Sequence, residues 1–263
     1  MSLRRSKVLA RWRAGQPARL CSLGIFHPPY IAHAAANGYD AIWVDMEHKA
    51  FTATEIKSLL TYFHLYDIDC LLRPSTTDKI QLYRYLEDGA TGLMIPHCNT
   101  PEIARQLVQC VKFPPLGQRG LDGAGFDGNF YMHDGADYPA FANRETFLVV
   151  QIETPEAIAN VDAIAAVEGV DCLFIGPGDL GLRIKHAQPG YDLAGAARRV
   201  AAAAKKHGKQ WGQPAGSAEH LRELLALGGT LLNHGSDFMA LKTMLEERGR
   251  EWTKVLADKL PSA

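Results

Sequence analysis

The chain has 263 residues, of which 47% are hydrophobic, and its formal net charge is −1. This length suits either one α/β barrel of about 250 residues or two smaller domains. The near-neutral charge and the lack of a basic stripe argue against nucleic-acid binding, and no apolar run reaches the roughly 18 residues that a membrane span needs.

The N-terminus and the cysteines indicate a reducing, cytoplasmic setting. The first seven residues, MSLRRSK, are basic, but no hydrophobic signal core follows them. The cysteines are odd in number and widely spaced, so we interpret them as small buried apolar residues rather than disulfides or zinc ligands. They are Cys21, Cys70, Cys98, Cys110 and Cys172.

The first half of the chain predicts a short basic helix at residues 4–14 and then four strand–helix units. Strand 20–26 precedes a helix that ends at Ala36, strand 39–44 precedes helix 52–63, strand 69–72 precedes helix 79–86, and strand 92–96 precedes helix 101–111. An irregular, glycine-rich stretch follows from 113 to 132. Irregular stretches this long in compact domains are usually functional, so we expect part of it to reach over the active face.

The second half continues the alternation. It predicts strands at 147–152, 171–175, 210–214 and 230–235, helices at 195–206, 217–227 and 237–248, and a loop at 183–190. The strands are short continuous apolar runs, which is typical of parallel strands covered on both faces. We therefore predict a single α/β domain, residues 1–263, folded as a (β/α)8 TIM barrel. No Gly-x-Gly-x-x-Gly motif follows the first strand, which disfavours dinucleotide binding.

Polar side chains follow the predicted strands at their C-terminal ends, where barrels assemble their functional sites. In chain order they are His27; Asp45, Glu47 and His48; Arg73; His97; Gln151 and Glu153; Asp179; Gln213; and Asn233 and His234. Burying many polar groups together is costly unless each is paired or binds an ion. A functional site at this end of the barrel is the simplest explanation.

Glu153 and Asp179 are the candidate metal ligands. Each ends a predicted strand, and a hard cation such as Mg²⁺ or Mn²⁺ uses one or two carboxylates and keeps positions for water and substrate oxygens. Either acid alone could instead serve only to cap the helix that follows. The glycines around Pro177 also free the backbone N–H groups of Gly178 and Asp179 to hold an anion at a helix start.

Asp45, His48, Arg73 and Gln151 are the candidate catalytic and substrate-binding groups. Asp45 can orient the His48 imidazole and stabilise its charged form, which makes His48 an acid or base near neutral pH. The Arg73 guanidinium needs an anionic partner if it is buried, either Asp45 or Glu47 or a substrate oxyanion. Gln151 lies two residues before Glu153 on one strand, so both face the same side.

At these residues the chain resembles the HpcH/HpaI aldolase family of metal-dependent class II pyruvate aldolases, of the 2,4-dihydroxyhept-2-ene-1,7-dioate and 2-keto-3-deoxy sugar-acid type. The matching segments follow the family's order across residues 15–245. They are WVDMEH at 43–48, LRP at 72–74, LMIP at 93–96, FPPLGQRG at 113–120, QIET at 151–154 and VDCLFIGPGDL at 170–180.

The resemblance implies a TIM barrel whose C-terminal helix is exchanged between subunits of a homo-oligomer, a dimer or a trimer of dimers. It implies Mg²⁺, Mn²⁺ or Co²⁺ held by Glu153 and Asp179, with a 2-keto acid bound to the cation. It also implies that Gln151 and the Gly178 and Asp179 amides hold the pyruvyl group.

The resemblance assigns the acid/base role to His48 with its partner Asp45, and the oxyanion role to Arg73. The chain departs from the family pattern where the first and eighth strands end, at His27 and at Asn233-His234, and in the segment 121–131. These positions would line the aldehyde side, so the aldehyde stays open.

The resulting hypothesis is a carbon–carbon lyase that cleaves 4-hydroxy-2-keto acids to pyruvate and an aldehyde through a pyruvate enolate. The alternatives are oxaloacetate decarboxylation of the macrophomate synthase type, a citramalyl-type lyase and a non-catalytic barrel that binds a keto acid. A phosphate-sugar isomerase is a weaker alternative, because strands seven and eight lack a glycine loop for phosphate. No lysine ends a predicted strand, which disfavours a Schiff-base aldolase.

Overall fold

A computed structural model describes residues 3–133 and 137–259. The first two residues of the basic N-terminus and the last four of the predicted domain therefore lie outside the described residues. Eight parallel strands pair in sequence order and close into a barrel through contact between the first and the eighth. This confirms the predicted TIM barrel.

The strands are β1 (Ala18–Leu23), β2 (Ala41–Asp45), β3 (Asp69–Arg73), β4 (Gly92–Ile95), β5 (Phe147–Ile152), β6 (Cys172–Ile175), β7 (Gln210–Pro214) and β8 (Leu231–Ser236). The α-helices in the described residues are α1 (Lys7–Arg13), α2 (Pro28–Ala36), α3 (Ala53–Leu65), α4 (Lys79–Glu87), α5 (Pro101–Val111), α6 (Tyr138–Glu145), α7 (Pro155–Ala159), α8 (Val161–Ala165), α9 (Pro177–Ala187), α10 (Leu193–His207), α11 (Ala218–Ala226) and α12 (Asp237–Lys259). None of them is long and apolar enough to cross a membrane.

The helices begin where side chains satisfy the first free backbone N–H groups. Thr52 and Glu55 form a reciprocal capping box at the start of α3. Thr154 caps α7 by accepting a hydrogen bond from the Ala157 N–H at 2.9 Å, and Pro155 occupies the first helical position, where its missing N–H costs nothing. The chain therefore turns into a helix directly after Glu153, which leaves this carboxylate at the barrel rim.

Strand alternation decides which polar side chains face into the barrel. Leu71, Val149 and Leu231 pack in the apolar cluster that fills the barrel interior. Side chains two residues apart on a strand share a face, so Arg73, Gln151 and Asn233 lie above this cluster at the mouth of the barrel. The helices cover the outer faces of the strands through a second, larger cluster.

Several predicted bounds were wrong. β1 ends at Leu23 rather than at residue 26, and the last helix continues to Lys259 rather than to residue 248. The predicted loop at 183–190 is mostly helix, since α9 runs to Ala187 with Leu180 buried on its inner face. The helix α6, between residues 132 and 147, was not predicted.

The prediction that the irregular stretch from residue 113 reaches over the active face was also wrong for its described part, residues 113–133. Phe126 stacks on His64 near the C-terminal end of α3, with ring centroids 4.6 Å apart. The Phe126 N–H donates to the Glu87 carbonyl at the end of α4. Helices of a (β/α)8 barrel run back from the C-terminal ends of the strands to the N-terminal ends, so this stretch covers the end of the barrel opposite the candidate site.

Candidate active site

The site is organised around Arg73 at the end of β3. Its guanidinium, only 6% exposed, makes a two-point contact with Asp45, Nε to Oδ1 at 2.9 Å and Nη2 to Oδ2 at 2.8 Å. Its third nitrogen, Nη1, lies 3.0 Å from Glu47 Oε2 and donates to Gln151 Oε1 at 3.2 Å. Trp43 packs under the guanidinium, 4.7 Å from ring centroid to Cζ. Arg73 is thus fixed in position by contacts on every edge and one face.

Asp45 is occupied by Arg73 rather than by the His48 imidazole. Its Oδ1 also accepts the backbone N–H groups of Glu47 at 3.0 Å and of His48 at 3.4 Å. Burial opposes ionisation, but the hydrogen bond and the charge of Arg73 outweigh it and hold the pKa of Asp45 below its ordinary value. The expected Asp45–imidazole contact is therefore wrong in this arrangement: the stronger bidentate partner takes the carboxylate, and the exposed His48 ring faces Glu47, Nε2 to Oε2 at 3.7 Å.

Glu47 joins the two sides of the site. One of its oxygens lies near Arg73 and His48, and the other lies 3.5 Å from His97 Nε2. On its other side the His97 ring contacts Glu153, with Nδ1 2.9 Å from Oε1. A continuous chain of ionisable side chains therefore runs across the barrel mouth from Asp45 to Glu153.

Glu153 is 2% exposed. Its Oε1 accepts the His97 backbone N–H at 2.8 Å as well as the ring contact, whereas its Oε2 accepts no hydrogen bond from the residues that the structure describes. Burial raises the pKa of Glu153, the carboxylates of Glu47 and Asp179 raise it further, and His97 opposes the shift. A nearby cation would stabilise the ionised form of an acid in this setting.

Asp179 stands in the first turn of α9, next to Glu153. The helix begins at Gly176, which has no side chain to cap it, so within the described chain the N–H groups of Gly178 and Asp179 have no hydrogen-bond acceptor. A Cβ on Gly176 would lie 2.6 Å from Glu153 Oε2, so any residue other than glycine would force this oxygen to move. Arg183, one turn along, approaches Asp179 Oδ1 at 3.3 Å and donates to the Glu153 carbonyl at 2.9 Å.

These residues fit a hard divalent cation. The described residues contain no preformed group of three or more metal-ligating side chains, so the protein alone does not enclose an ion. A cation such as Mg²⁺ needs only one or two carboxylates when water and substrate oxygens complete its shell. Glu153, with one free oxygen and a raised pKa, and the half-exposed Asp179 beside it provide that number.

The other predicted positions are not all brought into this site. Gln213 points out of the barrel towards α11, where its Nε2 lies 3.1 Å from His220 Nε2. His27 is exposed at the start of α2 without a side-chain cap contact. The His234 ring contacts the Ala215 carbonyl, Nδ1 to O at 3.0 Å. Asn233 does face the barrel mouth, and its buried Oδ1 has no hydrogen-bond partner in the described structure.

Sequence reasoning missed Trp43 and Arg183. Trp43 precedes Asp45 by two residues on β2, so strand alternation alone would have placed it on the inner face. Arg183 stands four residues after Asp179, the spacing of an ion pair along a helix, but it was assigned to a loop. Both signals were present in the sequence.

A buried arginine and a carboxylate pair at the C-terminal rim of a (β/α)8 barrel are features of an enzyme site. Residues 21–243 match the family model described as HpcH/HpaI aldolase/citrate lyase, and the chain belongs to this family. Because its relatives are aldolases, we take the protein to be a lyase.

Three relatives illustrate the similarity. A hydroxypyruvate/pyruvate aldolase of Deinococcus radiodurans is 34% identical over 251 residues, 93% of this chain and 87% of that protein. A 2-keto-3-deoxy-L-rhamnonate aldolase of Salmonella paratyphi B is 34% identical over 221 residues, 82% of this chain and 81% of that protein. The crystal structure of an HpcH/HpaI aldolase from Desulfitobacterium hafniense superposes with a TM-score of 0.85 at 29% identity, covering 96% of this chain and 97% of the other.

Proposed function

We propose that this protein is a divalent-metal-dependent aldolase that cleaves 4-hydroxy-2-keto acids to pyruvate and an aldehyde. The observation that carries the proposal is the Glu153 carboxylate, which is buried at the rim with one oxygen held by His97 and the other without a hydrogen bond from the described residues. The aldolase relatives at 34% identity support the reaction class and the keto-acid substrate.

Glu153 and Asp179 would hold Mg²⁺, Mn²⁺ or Co²⁺. Such a cation, when bound, acts as a Lewis acid on the C2 carbonyl of the keto acid. The uncapped N–H groups of Gly178 and Asp179 bind the substrate carboxylate at the positive end of α9. Gln151, whose Oε1 is held by Arg73, keeps its amide Nε2 for a substrate oxygen.

His48 transfers the proton in the reaction, and Arg73 stabilises the negative charge that develops. His48 is exposed, and its ring contact with Glu47 is long at 3.7 Å, so the ring can accept the C4 hydroxyl proton, directly or through water, as the C3–C4 bond breaks. Arg73 lies rigidly beside Gln151 and stabilises the negative charge of the pyruvate enolate as it forms. Asp45 acts on this step through Arg73, and through the backbone that carries His48.

The test is exchange of the pyruvate methyl protons with deuterium, followed by NMR with and without EDTA. Enolate formation predicts exchange that stops on chelation and returns when Mg²⁺ or Mn²⁺ is added. Absence of metal-dependent exchange would refute the enolate mechanism. Release of carbon dioxide from oxaloacetate, without aldol addition of pyruvate to any of a panel of aldehydes, would instead favour the decarboxylase alternative.

We also propose that the protein is a homo-oligomer that buries α12. This helix exposes large apolar side chains along its length, and such a surface favours a protein partner over solvent. They are Phe238, Met239, Leu241, Met244, Leu245, Trp252, Val255 and Leu256. Sedimentation equilibrium should give a dimer or a hexamer, and a monomer at micromolar concentration would contradict the proposal.

A further inference from the structure

His97 makes an unusual pair of contacts to one atom. Its backbone N–H and its ring Nδ1 both reach Glu153 Oε1, at 2.8 and 2.9 Å. The residue adopts a left-handed backbone conformation, with φ of 57°, which only a few per cent of residues other than glycine adopt. Backbone conformations of this kind concentrate at functional sites, where the surrounding structure maintains them.

The left-handed turn brings the backbone N–H and the ring of His97 to one side. β4 ends at Ile95, and the chain reverses at His97 so that its N–H and its ring both point across to the end of β5. The remaining ring nitrogen faces Glu47 Oε1 at 3.5 Å, on the opposite side from Glu153. The imidazole is therefore held between two carboxylates, and its orientation is defined by both.

These contacts to Oε1 also fix the direction of the other oxygen of Glu153, Oε2. With Oε1 engaged twice, the carboxylate cannot rotate without losing both contacts, and Oε2 is directed at the start of α9. The close approach of Gly176 to Oε2, 2.6 Å from the position of a Cβ, shows where this oxygen lies. Oε2, which accepts no hydrogen bond from the described residues, therefore faces the start of the helix whose first turn carries Asp179.

We propose that His97 is a positioning residue for the metal site: it fixes the Glu153 carboxylate so that Oε2 and Asp179 face one cation. This inference rests on the proposed function, in which those two acids bind the metal. Hydrogen bonds from residues behind metal ligands commonly change metal affinity by about 10–100-fold. The role needs a side-chain nitrogen in contact with Oε1, at the position of Nδ1, and a backbone that tolerates positive φ.

Three variants separate these requirements. His97→Gly keeps the backbone conformation and its N–H but removes the ring contact with Oε1. His97→Asn supplies a side-chain N–H near the Nδ1 position and tolerates positive φ. Gln188→Gly is the matched control, since Gln188 is another non-glycine residue with positive φ, 46°, at the far end of α9.

The measurement is calorimetric titration of each purified protein with Mn²⁺ alone, with circular dichroism to check folding. We expect the Kd of His97→Gly to rise about tenfold or more, with His97→Asn and Gln188→Gly close to the wild type. Wild-type affinity in His97→Gly would overturn the positioning role. Equal loss in His97→Gly and His97→Asn would also overturn it, because a side-chain nitrogen beside Oε1 would then not be enough to position Glu153.

Glu153→Gln in the same titration separates this inference from the proposed function. Loss of Mn²⁺ binding in Glu153→Gln together with unchanged binding in His97→Gly refutes only the role of His97. Unchanged binding in Glu153→Gln refutes the metal assignment, and the positioning role falls with it.

Discussion

Both ends of the barrel bury carboxylates, but the two ends satisfy them differently. At the N-terminal end, Asp69 is fully buried and accepts hydrogen bonds from Arg4 Nη1 at 2.9 Å, Ser6 Oγ at 2.6 Å and a backbone N–H of α1 at 2.9 Å. At the C-terminal end, Glu153 is almost as buried, yet both of its side-chain contacts with the described residues fall on one oxygen. The first acid is closed off by its partners, and the second keeps an open coordination position.

The difference separates stabilising polar groups from functional ones. Lys112, at the N-terminal end, is also buried, and it donates to the Thr146 carbonyl at 2.6 Å with Asp171 Oδ2 at 3.3 Å. A buried polar group whose bonds are complete contributes to stability, whereas an incompletely bonded one costs stability unless a ligand completes it. Burial alone does not identify the site; the open oxygen of Glu153 does so because it lies at the C-terminal rim beside a second acid, Asp179.

The sharpest test of this comparison exchanges one acid at each end for its amide. Glu153→Gln should lower metal-dependent exchange of the pyruvate methyl protons about 10³-fold, because a neutral amide does not compensate the cation. Its free energy of unfolding should equal or exceed that of the wild type, since the pKa of Glu153 is raised and its buried charge is unfavourable without a cation. NMR exchange rates and urea denaturation measure the two effects.

Asp69→Asn is the counterpart at the other end. It should lower the free energy of unfolding by about 2–3 kcal/mol, because Arg4 loses its buried anionic partner, while exchange per folded molecule stays at the wild-type rate. If Glu153→Gln instead unfolds the protein, or Asp69→Asn abolishes exchange without loss of stability, the two ends do not differ as described.

Loss of the proposed proton acceptor should have the next largest effect. His48→Gln should lower the rate of aldol cleavage about 10²–10³-fold, because the C4 hydroxyl then lacks a base. Mn²⁺ affinity should not change, since His48 does not contact Glu153 or Asp179. His33→Gln on the outer helix α2 is the control, and cleavage is followed by coupling pyruvate release to lactate dehydrogenase. Undiminished cleavage in His48→Gln would remove this residue from the mechanism.

A smaller loss of activity is expected when Arg73 is replaced by a residue of the same charge but different shape. Arg73→Lys retains one cation, but an ammonium cannot contact Asp45 at two points while also reaching Gln151. We expect kcat to fall about 10²-fold with a smaller change in KM, because the loss falls on charge that develops during the reaction. Steady-state kinetics with the best aldol substrate gives this split. A change confined to KM would assign Arg73 to substrate binding alone.

The sequence predicted the parts of this molecule that depend on periodicity. Eight apolar runs and their helices predicted the barrel, and alternation along one strand predicted that Gln151 and Glu153 face the same side. Contacts that depend on competition between side chains were not predictable in this way. Asp45 had two possible partners in the sequence, the His48 ring and Arg73, and only the three-dimensional distances show that Arg73 takes it.

The same limit applies to His97. The local sequence does not predict that His97 adopts a positive φ, because that conformation depends on where β4 ends and on the acceptor, Glu153, that follows β5. Arg183 was hidden for a different reason: a wrongly assigned loop removed the helical spacing that relates it to Asp179. Local errors in predicted secondary structure can therefore hide site residues even when the fold is predicted correctly.

The smallest effect concerns the pH dependence of stability. Arg73 holds the pKa of Asp45 below its ordinary value, so the ionised carboxylate stabilises the folded state at pH values above the ordinary value of about 3.9. This contribution is lost as the pH falls through the lower value of the folded state. Asp45→Asn should therefore cost about 1–2 kcal/mol at pH 6, and this difference from the wild type should narrow below about pH 4.

Urea denaturation of both proteins at pH 6, 5, 4 and 3.5 measures the difference directly. Other titrating groups are common to the two proteins and cancel in the subtraction, so the remaining slope belongs to Asp45 and to the groups that contact it. A difference that stays constant over this range would mean that Arg73 does not stabilise the charged form of Asp45. Because Glu153 has the opposite shift, Glu153→Gln should not reproduce this narrowing, and the two rim acids can be told apart by stability alone.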